Sequence, residues 1–454
     1  MEVTYMVDSA IHAVHDYLPD ASLHFLELIK GDNPDSFTRL RKLSVLDIIY
    51  QMFDRKGCSQ WSDIMNFYDD LNKKQTITET GFYLARKKFN PEALRVMSNE
   101  FIANFYDNNA DEMKKWKNHL VLSVDGSKII LPNTKENEAI FGRINAKPTS
   151  KDFDSKPVSG LLSTLHDCLN DTFLDVKFGP CSSSEKYFAS KHITTYCENF
   201  IDSAIFTLDR GYPSMRLVDQ LINSKQYFVF RLPSSFLKAY TNQIKAGEDK
   251  VIHITFDRES TNQYRDDIQF RQHLMNTTYT LRFTKLIIGQ DKDDQDIVEL
   301  LMSNLPEDEY SKDDLKELYH LRWRIETSYN RLKNRMKLEN FSGYKSTLIY
   351  QDIYADIWLY NIISLEILYA NDQVAIEQKQ EGEYILKRNF NKAIGIMKKL
   401  FIRALISMDE DTNDYALSVI KDNIAGNLVW IKKGRAYERK RTTTPSSMSY
   451  KSTY

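Results

Sequence analysis

The spacing of apolar residues divides the chain into a helical first quarter and a longer region where strands and helices alternate. Up to about residue 115, apolar side chains recur every three or four residues, notably over 11–29, 37–52 and 91–105. Such spacing places the apolar side chains on one face of a helix. We therefore predict a helical N-terminal domain over residues 1–115.

Short apolar runs that stop at turn residues follow from residue 116. The run Leu-Val-Leu-Ser-Val-Asp-Gly-Ser ends at Asp125-Gly126, and the run Ser-Ala-Ile-Phe-Thr-Leu-Asp ends at Asp209. Both have the composition of buried strands. Further strands are predicted around 160–165, 172–178 and 227–232, and helices over 184–200 and 214–222. This alternation of strands and helices predicts an α/β core.

Three strand-like segments with polar connections interrupt the alternation, at 251–256, 279–288 and 297–303. They predict a β subdomain inserted into the core, after which helices return at 311–338, 348–370 and 389–407. The predicted organisation is a helical N-terminal domain, the first part of the core, the inserted β subdomain, the second part of the core with further helices, and a C-terminal segment with a basic tail. In chain order these are residues 1–115, 116–232, 233–305, 306–410 and 411–454.

Charges are segregated along the sequence. The 454 residues are 42% hydrophobic and 27% charged, as expected for a globular protein of two or three domains. The net charge of −2 gives the whole protein no electrostatic reason to bind nucleic acid. Residues 319–345, however, hold seven Lys or Arg against two Glu, residues 431–454 hold seven against one, and a basic turn occupies 86–88. Each patch is either a nucleic-acid-binding surface or an ordinary solvated one.

Cysteine usage and hydropathy favour an intracellular protein without a membrane anchor. The four cysteines form no Cys-x-x-Cys pair, which fits a reducing compartment. The spacing of His and Cys residues between 166 and 197 matches no usual zinc pattern. The N-terminus has no signal-peptide character, and the most apolar segment, 354–370, contains carboxylates, which predicts a buried helix. We expect a cytoplasmic protein with no membrane partner.

The segment 319–333 carries the strongest chemical signal. At about 100° per residue, Tyr319, Arg322, Glu326 and Lys333 share one stripe of a helix. An apolar stripe lies directly beside it and would pack on the core. A carboxylate, two cations and a phenol would then stand at the edge of the core, which suits a metal-dependent site for an anionic substrate such as a phosphodiester. The alternative is an amphipathic helix with solvated charges.

Two strand-end aspartates strengthen the first interpretation. Asp125 and Asp209 follow apolar strands at the edge where open α/β sheets bind ligands. Together with Glu326 they would repel one another unless divalent cations neutralised them. Ligands that are all oxygen favour Mg²⁺ or Mn²⁺, and two such ions about 4 Å apart can drive in-line phosphoryl displacement. Arg322 and Lys333 would then hold phosphates, and Tyr319 could donate a hydrogen bond to one.

These blocks resemble the DDE transposases of bacterial insertion sequences, in the insertion-sequence-four-like group with a Tyr-Arg-Glu-Lys signature. The signature is Tyr319-x2-Arg322-x3-Glu326-x6-Lys333, followed by Leu-Glu-Asn-Phe-Ser-Gly at 338–343. The block Asp-Arg-Gly-Tyr-Pro-Ser from Asp209 and the block Val-Asp-Gly-Ser around Asp125 look like the other two acidic blocks of that family. The resemblance extends over roughly residues 35–400.

The resemblance implies an RNase H-like catalytic core that the β subdomain interrupts. It implies Asp125, Asp209 and Glu326 as catalytic residues that bind two Mg²⁺ or Mn²⁺ ions, and Tyr319, Arg322 and Lys333 as contacts to phosphates at the transposon ends. The implied reaction is nicking at the element's ends, followed by attack of the freed 3′-hydroxyl on the other strand and on target DNA. The implied partners are double-stranded DNA, both element ends and target, and a second copy of the chain, in the bacterial nucleoid.

Several alternatives remain open at this level. A catalytically silent DNA-binding regulator and a general RNase H-like nuclease share the same motifs. Arg210 and Tyr212, beside Asp209, either orient the acidic loop and touch DNA or only stabilise the turn. Some relatives use an aromatic of the insert to hold a flipped base. This chain has no Trp between Trp116 and Trp323, and the candidates for that role are Tyr264, Phe270 and Tyr279.

Overall fold

A computed structural model describes residues 9–39, 42–144, 156–290, 296–372, 380–381, 384–406 and 410–432. The first part of the chain forms helices, as predicted. They are α1 (Ala10–His24), α2 (Leu26–Lys30), α3 (Val45–Phe53), α4 (Gln60–Asp70), α5 (Glu79–Arg86) and α6 (Pro91–Asn108). Five of them begin where a Ser, Thr or Asn side chain accepts a hydrogen bond from a backbone N–H of the first turn. These caps satisfy donors that the helix itself leaves unpaired.

One large mixed sheet follows, and it confirms the α/β class. Its strands are β1 (Leu120–Ile130), β2 (Ser159–Asp167), β3 (Thr172–Pro180), β4 (Ala204–Leu208), β5 (Tyr227–Arg231), β6 (Asp249–Ile254), β7 (Tyr279–Gln290) and β8 (Asp296–Ser303). They are ordered β3-β2-β1-β4-β5-β8-β7-β6. β1 pairs antiparallel with β2 and parallel with β4, and β4 pairs parallel with β5. The parallel strands are buried, as their unbroken apolar composition requires.

The three strands predicted for the insert extend this same sheet. β8 pairs antiparallel with β5, and β7 and β6 follow it to the sheet edge. Between β5 and β7 the chain also forms α10 (Lys238–Thr241) and α11 (Ile268–Asn276). The insert is therefore joined to the core by backbone hydrogen bonds. The domain boundaries themselves stay a prediction.

The remaining helices lie beside the sheet and at the end of the chain. They are α7 (Lys135–Phe141), α8 (Glu185–Asn199), α9 (Met215–Asn223), α12 (Lys312–Leu321), α13 (Arg324–Asn330), α14 (Ser346–Asp372), α15 (Phe390–Ile406) and α16 (Glu410–Gly426). A small sheet of β9 (Gln380–Glu381), β10 (Tyr384–Arg388) and β11 (Leu428–Lys432) was not predicted. The predicted basic tail lies almost wholly outside the described residues.

The single helix predicted over 311–338 is wrong. The chain forms α12 and α13 with a break at Arg322 and Trp323, and a π-helical turn, Arg331–Arg335, follows α13. In that turn the N–H of Met336 bonds to the carbonyl of Arg331, five residues back. Side chains after the break therefore do not keep the angular positions that a straight helix would give them.

Helix α14 ties the N-terminal helices to the sheet. It is the predicted buried helix, and its polar side chains are paired across the core. Arg86 Nη2 lies 2.8 Å from Asp352 Oδ1, Arg55 Nη1 lies 3.3 Å from Asp352 Oδ2, and Arg55 also pairs with Asp356. Asn361 accepts from the N–H of Phe173 and donates to its carbonyl, on β3. No helix among the described residues is both long enough and apolar enough to cross a membrane.

Replacing Asp352 by Asn should destabilise the protein strongly. The substitution leaves two buried guanidinium groups, Arg55 and Arg86, short of negative charge, and breaking a buried pair costs about 3–5 kcal/mol. Urea unfolding measures the change. Glu136→Gln, which breaks the exposed pair with Lys345, should cost only about 0–1 kcal/mol. Equal losses in the two variants would contradict the role of α14 given above.

Candidate active site

The two aspartates lie side by side because their strands are neighbours. In the parallel pairing of β1 with β4, Ser123 stands opposite Thr207. Asp125 and Asp209 each come two residues later, just where β1 and β4 separate. The strand prediction was too short here, because β1 continues past Asp125 to Ile130 along β2 alone. The predicted meeting of the two aspartates at one sheet edge follows from this register.

Helix α13 brings Glu326 to the same edge. The apolar side of this helix, which consists of Ile325 and Tyr329, is buried. The Tyr329 hydroxyl donates to the backbone carbonyl of Asp125 over 2.8 Å and accepts from Thr164 Oγ1 over 3.0 Å. Glu326 lies one turn before this anchor. The helix is thus attached to the strand at the very residue whose side chain belongs to the site.

Arg322 is the cation around which the carboxylates gather. Only 2% of this residue is exposed. Its Nη2 lies 3.9 Å from Asp209 Oδ2 and 3.5 Å from Glu326 Oε1, and its charge also acts on Asp125. The Tyr319 hydroxyl donates to Asp209 Oδ1 over 3.0 Å. Arg322 lies in the break between α12 and α13. Five of the predicted site residues therefore share one electrostatic environment: Asp125, Asp209, Tyr319, Arg322 and Glu326.

A second cation at the site was not singled out from the sequence. Arg231, the last residue of β5, lies 3.8 Å from Asp209 Oδ1 and pairs with Glu299 of β8 at 2.8 Å. β5 is the parallel neighbour of β4, so its final residue reaches the same edge. The signal was present in the run Phe-Val-Phe-Arg-Leu at 228–232, which ends a buried strand with a charge.

The two aspartates have opposite pKa shifts. Burial, together with the nearby carboxylates of Glu326 and Glu185, raises the pKa of Asp125 to about 6, although Arg322 opposes the shift. Burial also acts to raise the pKa of Asp209, but the Arg210 N–H, which donates to Oδ1 over 2.7 Å, and the charge of Arg322 outweigh it. The pKa of Asp209 is therefore lowered. Asp125 is the carboxylate whose charge is poorly compensated.

Lys333 and Arg210, two predicted DNA contacts, differ in their surroundings. Lys333 Nζ donates to the backbone carbonyl of Lys128 over 2.6 Å, and burial lowers the pKa of this ammonium. Lys333 lies in the π-helical turn Arg331–Arg335 and contacts β1, the strand that carries Asp125; its predicted place on the stripe of Glu326 stays a prediction. The Arg210 side chain is exposed and lines a cavity of about 460 Å³ beside Asp209.

The candidate aromatics of the insert have different surroundings. Tyr264 and Phe270 pack against each other, with ring centroids 5.0 Å apart, and the Arg216 guanidinium lies over both rings. Tyr264 also lines the cavity beside Arg210. Tyr279 is buried, and its hydroxyl donates to Asp219 Oδ1 over 2.8 Å. Tyr279 thus has a structural contact, whereas Tyr264 shares a cavity with Arg210.

The donor chemistry of the site suits a hard divalent cation. Asp125, Asp209 and Glu326 offer only carboxylate oxygens, the ligands that Mg²⁺ and Mn²⁺ prefer. Within the described ranges no three His, Cys, Asp or Glu side chains come close enough together to hold a metal ion. Arg322 lies between Asp209 and Glu326, where it supplies positive charge itself. The carboxylates are of the right chemical type for such an ion, and in this structure Arg322 supplies the opposite charge.

The histidines weighed as zinc ligands belong to a polar network in the core. His192 Nδ1 lies 2.7 Å from Asp175 Oδ2, and its other ring nitrogen bonds with Ser163. His166 bonds with Asp171 and with Ser328 of α13. These contacts help to seat α8 and α13 against the sheet.

In this mixed sheet one aspartate lies on β1, a second follows its parallel neighbour β4, and a glutamate lies on the later helix α13. Residues 116–362 match the model of a family described as the transposase DDE domain. That match spans more than half of the 454 residues, so the chain belongs to this family.

Individual relatives are similar over short stretches. The putative transposase InsL for insertion sequence element IS186A of Escherichia coli K12 is 38% identical over 58 residues, which are 13% of this chain and 16% of the relative. The transposase for insertion sequence element IS421 of Escherichia coli matches to the same extent. The chain thus matches about a sixth of the length of these relatives.

One solved structure is similar over most of the chain but only loosely. It is a cryo-EM structure of the piggyBac transposase synaptic complex with hairpin DNA, with a TM-score of 0.42 and 12% sequence identity. The superposition covers 93% of this chain and 87% of that chain. A TM-score below 0.5 does not establish a shared fold.

Asp125→Asn should stabilise the metal-free protein at neutral pH. Because the folded-state pKa of Asp125 is about 6, above the usual value of 3.8, protonation favours the fold. That contribution is present near pH 4 and is lost as the pH rises through 6. We expect a gain of about 1–3 kcal/mol at pH 7, since each pKa unit corresponds to about 1.4 kcal/mol, and little change at pH 4.

Urea unfolding in EDTA at the two pH values measures this effect. Asp266→Asn, at an exposed position, is the control and should change stability by less than about 0.5 kcal/mol at both. A loss of stability in Asp125→Asn at pH 7 would show that the carboxylate is better compensated than described.

Proposed function

We propose that this protein is an insertion-sequence transposase that binds the ends of its element and catalyses metal-dependent DNA cleavage and strand transfer. The observation that carries the proposal is that Arg322 lies within 4 Å of both Asp209 and Glu326 and acts electrostatically on Asp125, inside the segment that matches the transposase DDE domain. The acidic triad supplies ligands for divalent ions. The cations beside it supply contacts for a phosphodiester.

The sheet supports an RNase H-like core for the catalytic domain. In the order β3-β2-β1-β4-β5, only β2 runs antiparallel to the other four strands. The acidic residues follow the central pair, β1 and β4. In open sheets this edge, outside the carboxyl ends of parallel strands, is where ligands bind.

Asp125, Asp209 and Glu326 are the residues that would hold two Mg²⁺ or Mn²⁺ ions. Bound ions of this kind lower the pKa of an attacking water or 3′-hydroxyl and stabilise the leaving oxygen. Arg322 then exchanges its carboxylate contacts for a phosphate, which its planar fork binds well. The Tyr319 hydroxyl, which here donates to Asp209, would donate its hydrogen bond to a phosphate oxygen of the substrate. Lys333 donates one of its three N–H bonds to the Lys128 carbonyl, and the other two are the ones that would contact a phosphate.

The substrate is double-stranded DNA, first the element ends and then the target. A homodimer would offer one site to each of the two ends, within the bacterial cytoplasm and its nucleoid. The exposed Arg210 and the cavity beside it form the face on which the DNA strand would lie. A silent regulator and a general nuclease are the competing functions, and the cleavage assay separates them.

Glu326→Gln should abolish cleavage without loss of DNA binding. The assay uses Mg²⁺ and a duplex that carries the inverted repeats flanking the gene. Losing a metal ligand removes several kcal/mol of transition-state stabilisation, so the rate should fall roughly 10³-fold. Glu317→Gln, an exposed residue of α12, is the matched control and should cleave normally.

Three outcomes of that assay would contradict the proposal. Equal products from wild type and Glu326→Gln would exclude the assigned triad. No products from the wild type would favour the silent regulator. Equal cleavage of DNA that lacks the inverted repeats would favour a general nuclease.

Arg210→Gln should weaken DNA binding and its salt dependence. Loss of one phosphate contact lowers the slope of log affinity against log salt by about 0.9. Fluorescence anisotropy with the same duplex at several salt concentrations measures this slope. Lys225 precedes β5 and so lies at the opposite edge of the sheet, and Lys225→Gln should leave the slope unchanged. An unchanged slope for Arg210→Gln would remove this residue from the DNA-binding face.

A further inference from the structure

A fourth carboxylate, Glu185, lies at the active-site edge. It is the first residue of α8, behind the capping residue Ser184 and after the end of β3. A Cβ built on Gly126 would stand 3.1 Å from Glu185 Oε1, and one built on Gly211 would stand 4.0 Å from Oε2. The carboxylate is therefore held against the backbone that follows Asp125 and near the loop that follows Asp209.

The compensation of charge at this edge is uneven. Asp209 and Glu326 share Arg322, and Asp209 also lies near Arg231. For Glu185, the described part of the chain contains no ion pair within 4 Å, and Glu185 and Asp125 act on each other as like charges. Two neighbouring carboxylates with so little positive charge are unfavourable unless a cation joins them.

The buried hydroxyl of Tyr212 gives independent evidence that a water or ligand binds beside these carboxylates. Only 2% of this residue is exposed, and its hydroxyl has no hydrogen-bond partner among the described residues. Burial, and after it the charges of Asp125 and Glu185, raise the pKa of this hydroxyl. A buried hydroxyl without a hydrogen-bond partner is unfavourable, so it normally marks a place for a water or a ligand. Here that place lies beside the two carboxylates.

We propose that Glu185 is a fourth acidic ligand of the metal site, which binds one divalent cation together with Asp125. Tyr212 donates its hydroxyl hydrogen to a water molecule held beside them. A side chain at position 126 would come within 3.1 Å of the Glu185 carboxylate and 3.0 Å of Leu161, so glycine leaves the carboxylate room at this place. The inference rests on the proposed metal-dependent function and adds a ligand to it.

Manganese binding tests the assignment directly. Mn²⁺ affinity of the full chain is measured by calorimetry and by electron paramagnetic resonance, for wild type, Glu185→Gln and the control Glu79→Gln. Glu79 is also an acidic first-turn residue behind a Thr cap, on α5. We expect Glu185→Gln to weaken one Mn²⁺ site by about 10- to 100-fold, the size found when groups that support a metal site are lost. Glu79→Gln should bind as wild type does.

A second variant separates ligation from long-range charge. Glu185→Asp keeps the charge but withdraws the carboxylate by one methylene, so it should also lose Mn²⁺ affinity. In EDTA, Glu185→Gln should unfold at the wild-type temperature or above it, because it removes a like charge from beside Asp125. Wild-type Mn²⁺ affinity in Glu185→Gln, or full affinity in Glu185→Asp, would overturn the inference.

The failure of this inference and of the proposed function are distinguishable. If Asp125→Asn and Asp209→Asn lose Mn²⁺ binding while Glu185→Gln keeps it, only the fourth ligand is wrong. If the wild type itself binds no Mn²⁺, the metal-dependent function and the fourth ligand both fail.

Discussion

Carboxylates brought to one point repel each other, and the active-site edge of this protein is arranged around that constraint. The positive charge of Arg322, which is buried between two helices, reduces this repulsion for Asp209 and Glu326. Arg322 stands in the short break between α12, which ends at Leu321, and α13, which begins at Arg324. The helix break, the buried cation and the poorly compensated Asp125 are therefore parts of one electrostatic arrangement. A divalent cation would complete it on the side that Arg322 does not reach.

The same rule explains how the N-terminal helices are joined to the sheet. Helix α14 is apolar enough to fill the core, yet it carries Asp352 and Asp356 in its first half. Arg55 and Arg86 from the first helices neutralise them, and both guanidinium groups are buried. Such pairs add little net stability, but they penalise any other arrangement of the same helices. The position of α14 in turn fixes β3 through Asn361.

The sequence predicted more of the elements than of their arrangement. Apolar runs ending at Asp125 and Asp209 were recognisable because buried parallel strands are almost wholly apolar. Glu326 was recognisable from the apolar positions around it. Arg231 and Glu185 were not, because each is a single charge at the end of an ordinary strand or at the start of an ordinary helix. Their importance depends on which strand neighbours β4 and on which loop passes Gly126.

By itself, therefore, the sequence determined the α/β class, the acidic residues and the order in which they occur, since strand composition and helical spacing are local properties. The tertiary structure alone decided that the strands of the insert extend the core sheet, that Lys333 contacts the carbonyl of Lys128, and that Arg231 lies beside Asp209. A uniform rotation of 100° per residue cannot foresee a break or a π-helical turn. These irregularities are stabilised by contacts with residues far away in the chain, such as the bond from Tyr329 to Asp125.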